Sequence, residues 1–494
     1  MPIGVFRTWV KYIEKGKFPH TSRHFGVMRC NHCDSAPCST ICPTNALYRR
    51  SNGIIDFDNE RCIGCKSCMQ ACPYDALYID PNNNTAAKCN FCAHRVEAEL
   101  EPACVIVCPT QAILAGDLDD PSSKVSRAVA TQKVSVRKPH KGTQPKLFYV
   151  GIEGDLLEPS RLSRQNSYMF SERQDSQPSH PEFDPNPARE VYDVAHPAPW
   201  GWKIAAYLWT KSIAAGVMLV AATLVGRNGL LLGAMPGMIS PLIALIALGM
   251  TGLLLIFDLK RPDRFYYLLT KPNFHSWLVI GAYILLIYGA LCTAWLVTGV
   301  MFQGVQGTLV GLTALFAAAS ACYSAFLFAQ AKGRDLWQSP VFFWHLLVHA
   351  LVAGSAVWLL ATLYYRSHLL AEDASFSSLA ASLYMLDRAF VLLRFFLILS
   401  LCMTLAELFM PHASEDARLA SQNWIKGHLR NRFWGLTIGA GLVLPILLLL
   451  GATNLNLNLA AISKMMAAAA ILALAGVWWF EEGWVKAGQS VQLS

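Results

Sequence analysis

Cys62-Ile63-Gly64-Cys65-Lys66-Ser67-Cys68-Met69-Gln70-Ala71-Cys72-Pro73 is the stretch that decides how the first third of this chain is read. Its spacing, C-x2-C-x2-C-x3-C-P, lets three closely set thiolates grip three irons of a cubane. The fourth thiolate, sent away by its proline, serves the other cluster of a pair. The proline turns the backbone off the cluster and removes one N–H.

Two more runs flank it. Cys30-x2-Cys33-x4-Cys38-x3-Cys42-Pro43 lies before, and Cys89-x2-Cys92-x11-Cys104-x3-Cys108-Pro109 lies after. Crossing the fourth ligands assigns Cys30, Cys33, Cys38 and Cys72 to one [4Fe–4S] cluster. Cys62, Cys65, Cys68 and Cys42 then hold the second. Zinc sites use paired C-x2-C spacing, often with histidine, and runs of four closed by Cys-Pro fit them poorly. Disulfides belong to secreted chains, and residues 1–29 carry no apolar signal run. The segments "GIIDFD" and "ALYID" read as small strands beside the runs. The third run has no partner run before Cys30, so its cluster, on Cys89, Cys92, Cys104 and Cys108, stays open beside two complete ones.

Outward from this domain the composition changes. The chain has 494 residues and a formal net charge of +8; 54 % of residues are hydrophobic and 15 % charged. Soluble domains carry about 25 % charged residues. Mean hydropathy is +0.34. These values exclude a disordered chain, a coiled coil and an ordinary soluble enzyme. The positive charge is too mild and scattered for a nucleic-acid partner. Of 15 cysteines only Cys292, Cys322 and Cys402 lie beyond Cys108, and their apolar surroundings read as core.

Four regions are expected: an iron–sulfur domain at 1–147, an extended Ser/Pro-rich linker at 148–200, a membrane domain at 201–486 and a tail at 487–494. The linker has little periodicity and closes on "HPAPWGW", a membrane-interface signature. Eight apolar segments of spanning length follow, with cores near 203–225, 238–257, 276–300, 307–329, 340–364, 385–409, 433–451 and 459–480. Eight spans put both ends of the domain on one side. The loops of that side carry Lys260, Arg261, Arg264, Lys271, Lys332, Arg334, Arg418, Lys426, Arg430, Arg432 and Lys486. The other side has Arg227 and Arg366, with Arg388 and Lys464 arguable. Positive charge stays inside, so the iron–sulfur domain is expected on the cytoplasmic face of the inner (plasma) membrane.

Charged and polar groups within spans are costly and mark chemistry. Tyr207 and Lys211 share a helix face, Asp258 ends span two and His275 begins span three. His345 and His349 lie one turn apart, and Arg388, Arg394 and Glu407 lie in span six. A quinone head needs a donor at each carbonyl and a proton route, which Tyr, His, Lys and an acid supply. The candidate set is therefore Tyr207, Lys211, Asp258, His275, His349 and Glu407. Each has a plainer reading: ion pairs between helices for Lys211 and Arg394, a snorkelling Arg388 and a capping role for Asp258 and Arg261. The two histidines on one helix cannot ligate one haem from opposite faces, so no haem is expected.

Residues 25–147 resemble the iron–sulfur subunit of the dimethyl-sulfoxide-reductase and polysulfide-reductase family. The stretches "RCNHCDSAPCSTICPTNAL", "CIGCKSCMQACPYDALYIDP", "KCNFCAHRVEAELEPACVIVCPTQAI" and "GDLDDP" carry the likeness, the middle run being the bacterial ferredoxin pattern. That family has four cysteine runs and usually four clusters. Its first run would precede the "MPIGVFRTWVKYIEKGKFP" start, and a start assigned too late is the expected explanation. The membrane half is similar to the NrfD/PsrC family of eight-span quinone-reactive subunits. It shares "AAYLWTKSIAAG" and "DLKRPDRFYYLLTKPNFHSWL", the latter close to D-L-G-R-P-x-R-F with Lys260 in the Gly position.

The resemblance implies an α+β ferredoxin-like iron–sulfur domain fused to an all-α polytopic membrane domain of eight transmembrane helices. It implies electron transfer between [4Fe–4S] clusters and membrane quinone or menaquinone, on behalf of a separate catalytic subunit of molybdopterin type. The chain has no pterin or flavin domain and no Gly-rich phosphate loop of its own. Two other readings stay open: a proton-translocating respiratory module, and a non-catalytic membrane anchor with structural clusters.

Overall fold

The computed structural model describes residues 4–17, 19–164, 188–224, 235–302, 304–371, 376–454 and 458–494. The chain opens with a hairpin that local sequence patterns do not announce. Strands β1 (Thr8–Lys17) and β2 (His20–Arg29) pair antiparallel from Thr8↔Arg29 to Lys17↔His20. Alternation drives it: Trp9, Lys11 and Ile13 are buried while Val10 faces out. Gly16 turns the hairpin at φ +85°, where a Cβ would stand 2.1 Å from the His20 carbonyl oxygen.

The iron–sulfur domain proper is built from two similar units. Helix α1 (Pro37–Ile41) leads to β3 (Leu47–Arg49) and β4 (Ile55–Phe57). Helix α2 (Ser67–Ala71) leads to β5 (Leu77–Asp80) and β6 (Thr85–Lys88). Both strand pairs are antiparallel, and the two expected strand segments are β4 and β5, while their partners β3 and β6 lie outside the expected segments. Each helix carries the third cysteine of its run, and the Cys-Pro step ends it, because proline bars the preceding residue from the helical region. A further pair, β7 (Val134–Ser135) and β8 (Tyr149–Val150), returns the chain to the hairpin, where the Tyr149 hydroxyl donates to the Val27 carbonyl at 2.9 Å.

The segment 148–200 is not a free tether at its ends, and residues 165–187 lie outside the described residues. Strand β9 (Ser163–Arg164) runs parallel to β10 (Arg189–Tyr192), and β10 pairs antiparallel with β1, giving the order β2-β1-β10-β9. Leu156, Leu162 and Ala188 join Trp9, Ile13 and Met28 in a small apolar core. Lys11 lies fully buried between Glu190 at 2.9 Å and Asp193 at 3.3 Å. The open edge of β1 and this buried cation supply the partners that local composition could not reveal.

His196 pins the same end, with Nδ1 2.6 Å from Asp75 and Nε2 3.5 Å from Asp193. Burial pushes its imidazole down, but Asp193 and Asp75 overcome this and hold it up at about 9. A raised folded-state value gives stability that is complete below about pH 6.5 and is lost as pH rises through about 9. The contribution is about 3 kcal/mol. Thermal unfolding of the detergent-solubilised chain should therefore weaken between pH 6.5 and 9, and His196→Asn should flatten that dependence.

The membrane domain follows. Its eight spanning helices run Trp202–Leu224, Met235–Asp258, Trp277–Met301, Gly307–Ala329, Val341–Ser367, Leu379–Glu407, Arg432–Thr453 and Leu459–Gly488, so the chain is a multi-pass membrane protein. The expected spans agree within a few residues except the sixth, which begins six residues earlier at Leu379, and the last. The eighth helix continues eight residues past 480, through Glu481 and Glu482, because the iron–sulfur domain covers its end. The expected tail is likewise packed: Leu493 is buried and its carbonyl accepts from Arg137 at 3.1 Å. Arg227 lies outside the described residues. Cys292 and Cys322 are buried as expected, whereas Cys402 sits on the outward face of span six.

Candidate functional site

The fold gathers the thiols of the first two runs across their sequence order. Cys38 has Cys72, Cys30 and Cys33 as its thiol neighbours, and Cys65 has Cys42 and Cys62. Cys68 faces Cys65, Cys62 and Cys42, with Cys38 behind. Burial pushes the thiols up, Cys33 to about 11 and Cys65 and Cys72 to about 12. Cys42, Cys62, Cys65 and Cys68 line one small cavity together with Thr44, Lys66 and Ala86. Among the described residues no three His, Cys, Asp or Glu converge on a point that would hold a single metal ion. Four thiols set around one cavity are the donor set that a multi-iron cluster takes.

The third run is placed differently. Cys89 has Cys30 as its thiol neighbour, and Cys104 accepts from the Arg29 guanidinium at 3.3 Å. Cys108 sits further out, where the Ala112 amide donates to its sulfur at 3.2 Å. Backbone amides, led by that of Ile113, hold this half-buried thiol below its ordinary range.

The second thiol set rests directly on the membrane domain. The loop between spans two and three threads along it. The Lys260 and Arg261 amides donate to the Gly64 and Ile63 carbonyls at 3.2 Å each. Arg264 donates to the Cys62 carbonyl at 3.1 Å. The Asn273 side chain donates to the Cys42 carbonyl at 2.8 Å, and the Ser276 hydroxyl to that of Ile41 at 2.7 Å. Trp200 adds its indole N–H to the Cys65 carbonyl at 3.3 Å and stacks on Trp337 at 5.3 Å. Gly64, at φ +68°, admits this contact, since a Cβ there would meet Lys260 Cβ at 2.6 Å.

Asp258 belongs to this clamp. Its carboxylate lies 2.8 Å from the ammonium of Lys66, the residue between Cys65 and Cys68, and both are largely buried. Removing one member of such a pair leaves an uncompensated charge at a cost of about 3–5 kcal/mol. Lys66 was not among the sequence candidates, because a lysine inside a cysteine run has no local sign of its partner. His275 is also at this interface, exposed, with Nδ1 3.2 Å from Asn273 Oδ1.

The remaining candidates lie inside the helix bundle in two groups. Lys211 is fully buried and donates to the Ala321 carbonyl at 2.8 Å and the Ser324 hydroxyl at 2.7 Å. Its ammonium sits 4.8 Å from the ring centre of Tyr323, and Tyr207 donates to Ser324 at 3.4 Å. His349 instead approaches Glu481 at 3.8 Å, and Glu407 meets His345 at 3.1 Å. Arg394 and Arg388 lie over the rings of Phe390 and Tyr384. The six candidates thus divide into two at the interface, an inner pair joined through Ser324, and His349 and Glu407, which meet Glu481 and His345 rather than each other. Glu481 is a buried acid that sequence reasoning missed, since the doublet Glu481-Glu482 looked like the end of the apolar run.

With this geometry in view, the comparisons are specific. Residues 22–118 match the family described as a 4Fe-4S dicluster domain, and residues 190–485 match "Polysulphide reductase, NrfD". The chain is 41 % identical over 162 residues to a tetrathionate reductase subunit of Salmonella typhimurium, using 32 % of this chain and 65 % of that protein. It is 40 % identical over 153 residues to a component of the polysulfide reductase of Wolinella succinogenes, covering 30 % of this chain and 80 % of the relative. Protein NrfC of Escherichia coli K12 is 41 % identical over 153 residues, covering 30 % and 69 %. A two-unit cysteine domain clamped on eight spanning helices, matched in both halves, makes this chain a member of the polysulphide reductase NrfD family in which an iron–sulfur dicluster domain is fused to the membrane subunit.

Proposed function

We propose that this chain is the electron-transfer and membrane-anchor subunit of a respiratory oxidoreductase. It passes electrons between [4Fe–4S] clusters and membrane quinone or quinol for a separate catalytic subunit. The observation that carries the reading is the clamp of the span two–three loop on the backbone of Cys42 and Cys62–Cys65. Cys30, Cys33, Cys38 and Cys72 would hold one cluster, and Cys62, Cys65, Cys68 and Cys42 the one against the membrane domain. Cys89, Cys92, Cys104 and Cys108 form a further candidate set. When bound, such clusters relay single electrons.

The protein residues have distinct tasks in this scheme. Asp258 and Lys66 fix the membrane-facing set. Lys211 and Tyr207 offer hydrogen-bond donors to a quinone head, with Ser324 as their shared partner. The names of the relatives favour a partner acting on a sulfur compound such as tetrathionate or polysulfide, and the family resemblance of the cysteine-rich half suggests a partner of molybdopterin type. Loop charge supports a cytoplasmic iron–sulfur domain.

The test uses the purified full chain and a menaquinol analogue, following the visible absorbance of the clusters. Quinol should bleach the wild type. Lys211→Met should slow bleaching about a hundredfold with iron content unchanged, as loss of a buried charged donor at a reacting oxygen implies. A wild-type chain that quinol leaves oxidised would sink the reading.

A further inference from the structure

Two of the candidates, His349 and Glu407, belong to a line of side chains with another geometry. Glu407 ends span six on the side of the iron–sulfur domain, and its side chain is 17 % exposed. Its Oε2 lies 3.1 Å from Nε2 of His345, which is fully buried in span five. One turn deeper is His349, with the two imidazole centres 5.6 Å apart and Phe480 packed on both rings. His349 Nδ1 stands 3.8 Å from Oε1 of Glu481 in span eight. Glu481, also fully buried, accepts from the Ser212 hydroxyl at 3.2 Å. Ser212 adjoins Lys211.

Four spans therefore contribute to one track from the aqueous edge to the inner pair. Along it, His345 Nδ1, His349 Nδ1 and Glu481 Oε2 are buried with no hydrogen-bond partner. Polar groups left so inside an apolar bundle are costly, and apolar residues would pack as well. Each member can take a proton at one atom and release one from another: an imidazole through its two nitrogens, a carboxyl through its two oxygens.

We infer that Glu407, His345, His349 and Glu481 conduct the protons of the quinone reaction between the buried Lys211 region and the aqueous face that carries the iron–sulfur domain. This rests on the quinone reading above. Oxidation of a quinol to a quinone releases two electrons and two protons. The clusters that the cysteines would hold would take the electrons one at a time. Each proton passes from the Glu481 carboxyl to His349, on to His345, to the Glu407 carboxylate and out to water. Reduction of a quinone runs the same hops inward.

The experiment mixes the full chain with a menaquinol analogue in weakly buffered solution, reading cluster bleaching and a pH-indicator dye together. Glu407→Gln keeps its place at the bundle edge and should fold with normal iron content. It should slow bleaching and proton release together by about tenfold or more, with an unchanged dependence on quinol concentration. Formate, a small weak acid, should restore the rate. Glu481→Gln and His345→Gln should show the same pattern, and pairing either with Glu407→Gln should add little. If wild type is bleached and all three variants match it, the proton track is wrong while the quinone reading stands. Slowing that formate does not relieve, with weakened quinol dependence, would make these residues structural and also overturn the track. If quinol leaves the wild type oxidised, both readings fall.

Discussion

A Cys42→Ala chain should lose the same iron–sulfur signal as Cys62→Ala, Cys65→Ala and Cys68→Ala, and keep the one that depends on Cys30, Cys33 and Cys38. Cys42 is nearer in sequence to Cys38, yet the fold sets it on the cavity with Cys62, Cys65 and Cys68. Losing one thiolate of four leaves the cubane without a ligand in a buried pocket, so about four irons per molecule should go. The Cys42 carbonyl also anchors Asn273 of the membrane loop. The missing cluster would therefore be the one that meets quinol, and reduction of the survivor should slow at least about a hundredfold, since the bound relay nearest the membrane is gone. Iron analysis with electron paramagnetic resonance on the four variants checks this. If Cys42→Ala removed the signal shared by Cys30, Cys33 and Cys38, the crossed assignment would be wrong.

Gly354→Leu should abolish folding of the membrane domain, and even Gly354→Ala should be severely destabilised. Spans one and five touch backbone to backbone. A Cβ on Gly354 would lie 2.1 Å from the carbonyl carbon of Gly216, and one on Gly216 would lie 1.7 Å from the carbonyl oxygen of Ala350. In lipid, close packing of small residues is a main source of helix association. Overpacking by a methyl costs about 1–3 kcal/mol where side chains can shift, and here the obstacle is backbone. We expect at least about 3 kcal/mol for alanine and no folded protein for leucine. Gly249→Ala is the control, because nothing lies within 4 Å of a Cβ there. Thermal stability and gel filtration in detergent compare the three, and a Gly354→Ala variant as stable as the control would refute the contact. The approach also sets span one, with Lys211 and Ser212, against span five, with His345 and His349.

How much of this was legible in the sequence follows from where each signal resides. Cysteine spacing is local, so the runs and one strand of each small hairpin could be read directly. Spanning helices announce themselves by length and hydropathy, and all eight were found, to within a few residues at most ends. What escaped depends on distant partners. The β1 hairpin is polar on one side, and Lys11 finds Glu190 and Asp193 nearly 180 positions away. Lys66 and Asp258 look like a loop lysine and a helix cap until the fold joins them. Glu481 was lost because an acid near a helix end reads as an interface residue unless a covering domain is known. The quinone candidates were chosen by residue type alone, which cannot tell a charge that clamps two domains from one that faces a ligand.

The parallel pairing of β9 with β10 has a consequence for how the two halves are joined. The backbone leaves the sheet after Arg164 and re-enters beside the same point at Arg189. Both ends of the junction are thus held at the side of one sheet. These ends are fixed about one strand spacing apart by hydrogen bonds, whatever the length between them. Doubling a loop whose ends are held costs only about 0.6 kcal/mol. An affinity tag, a fluorophore or a longer insert placed between Arg164 and Arg189 should therefore leave the register between the cysteine-rich and membrane halves unchanged.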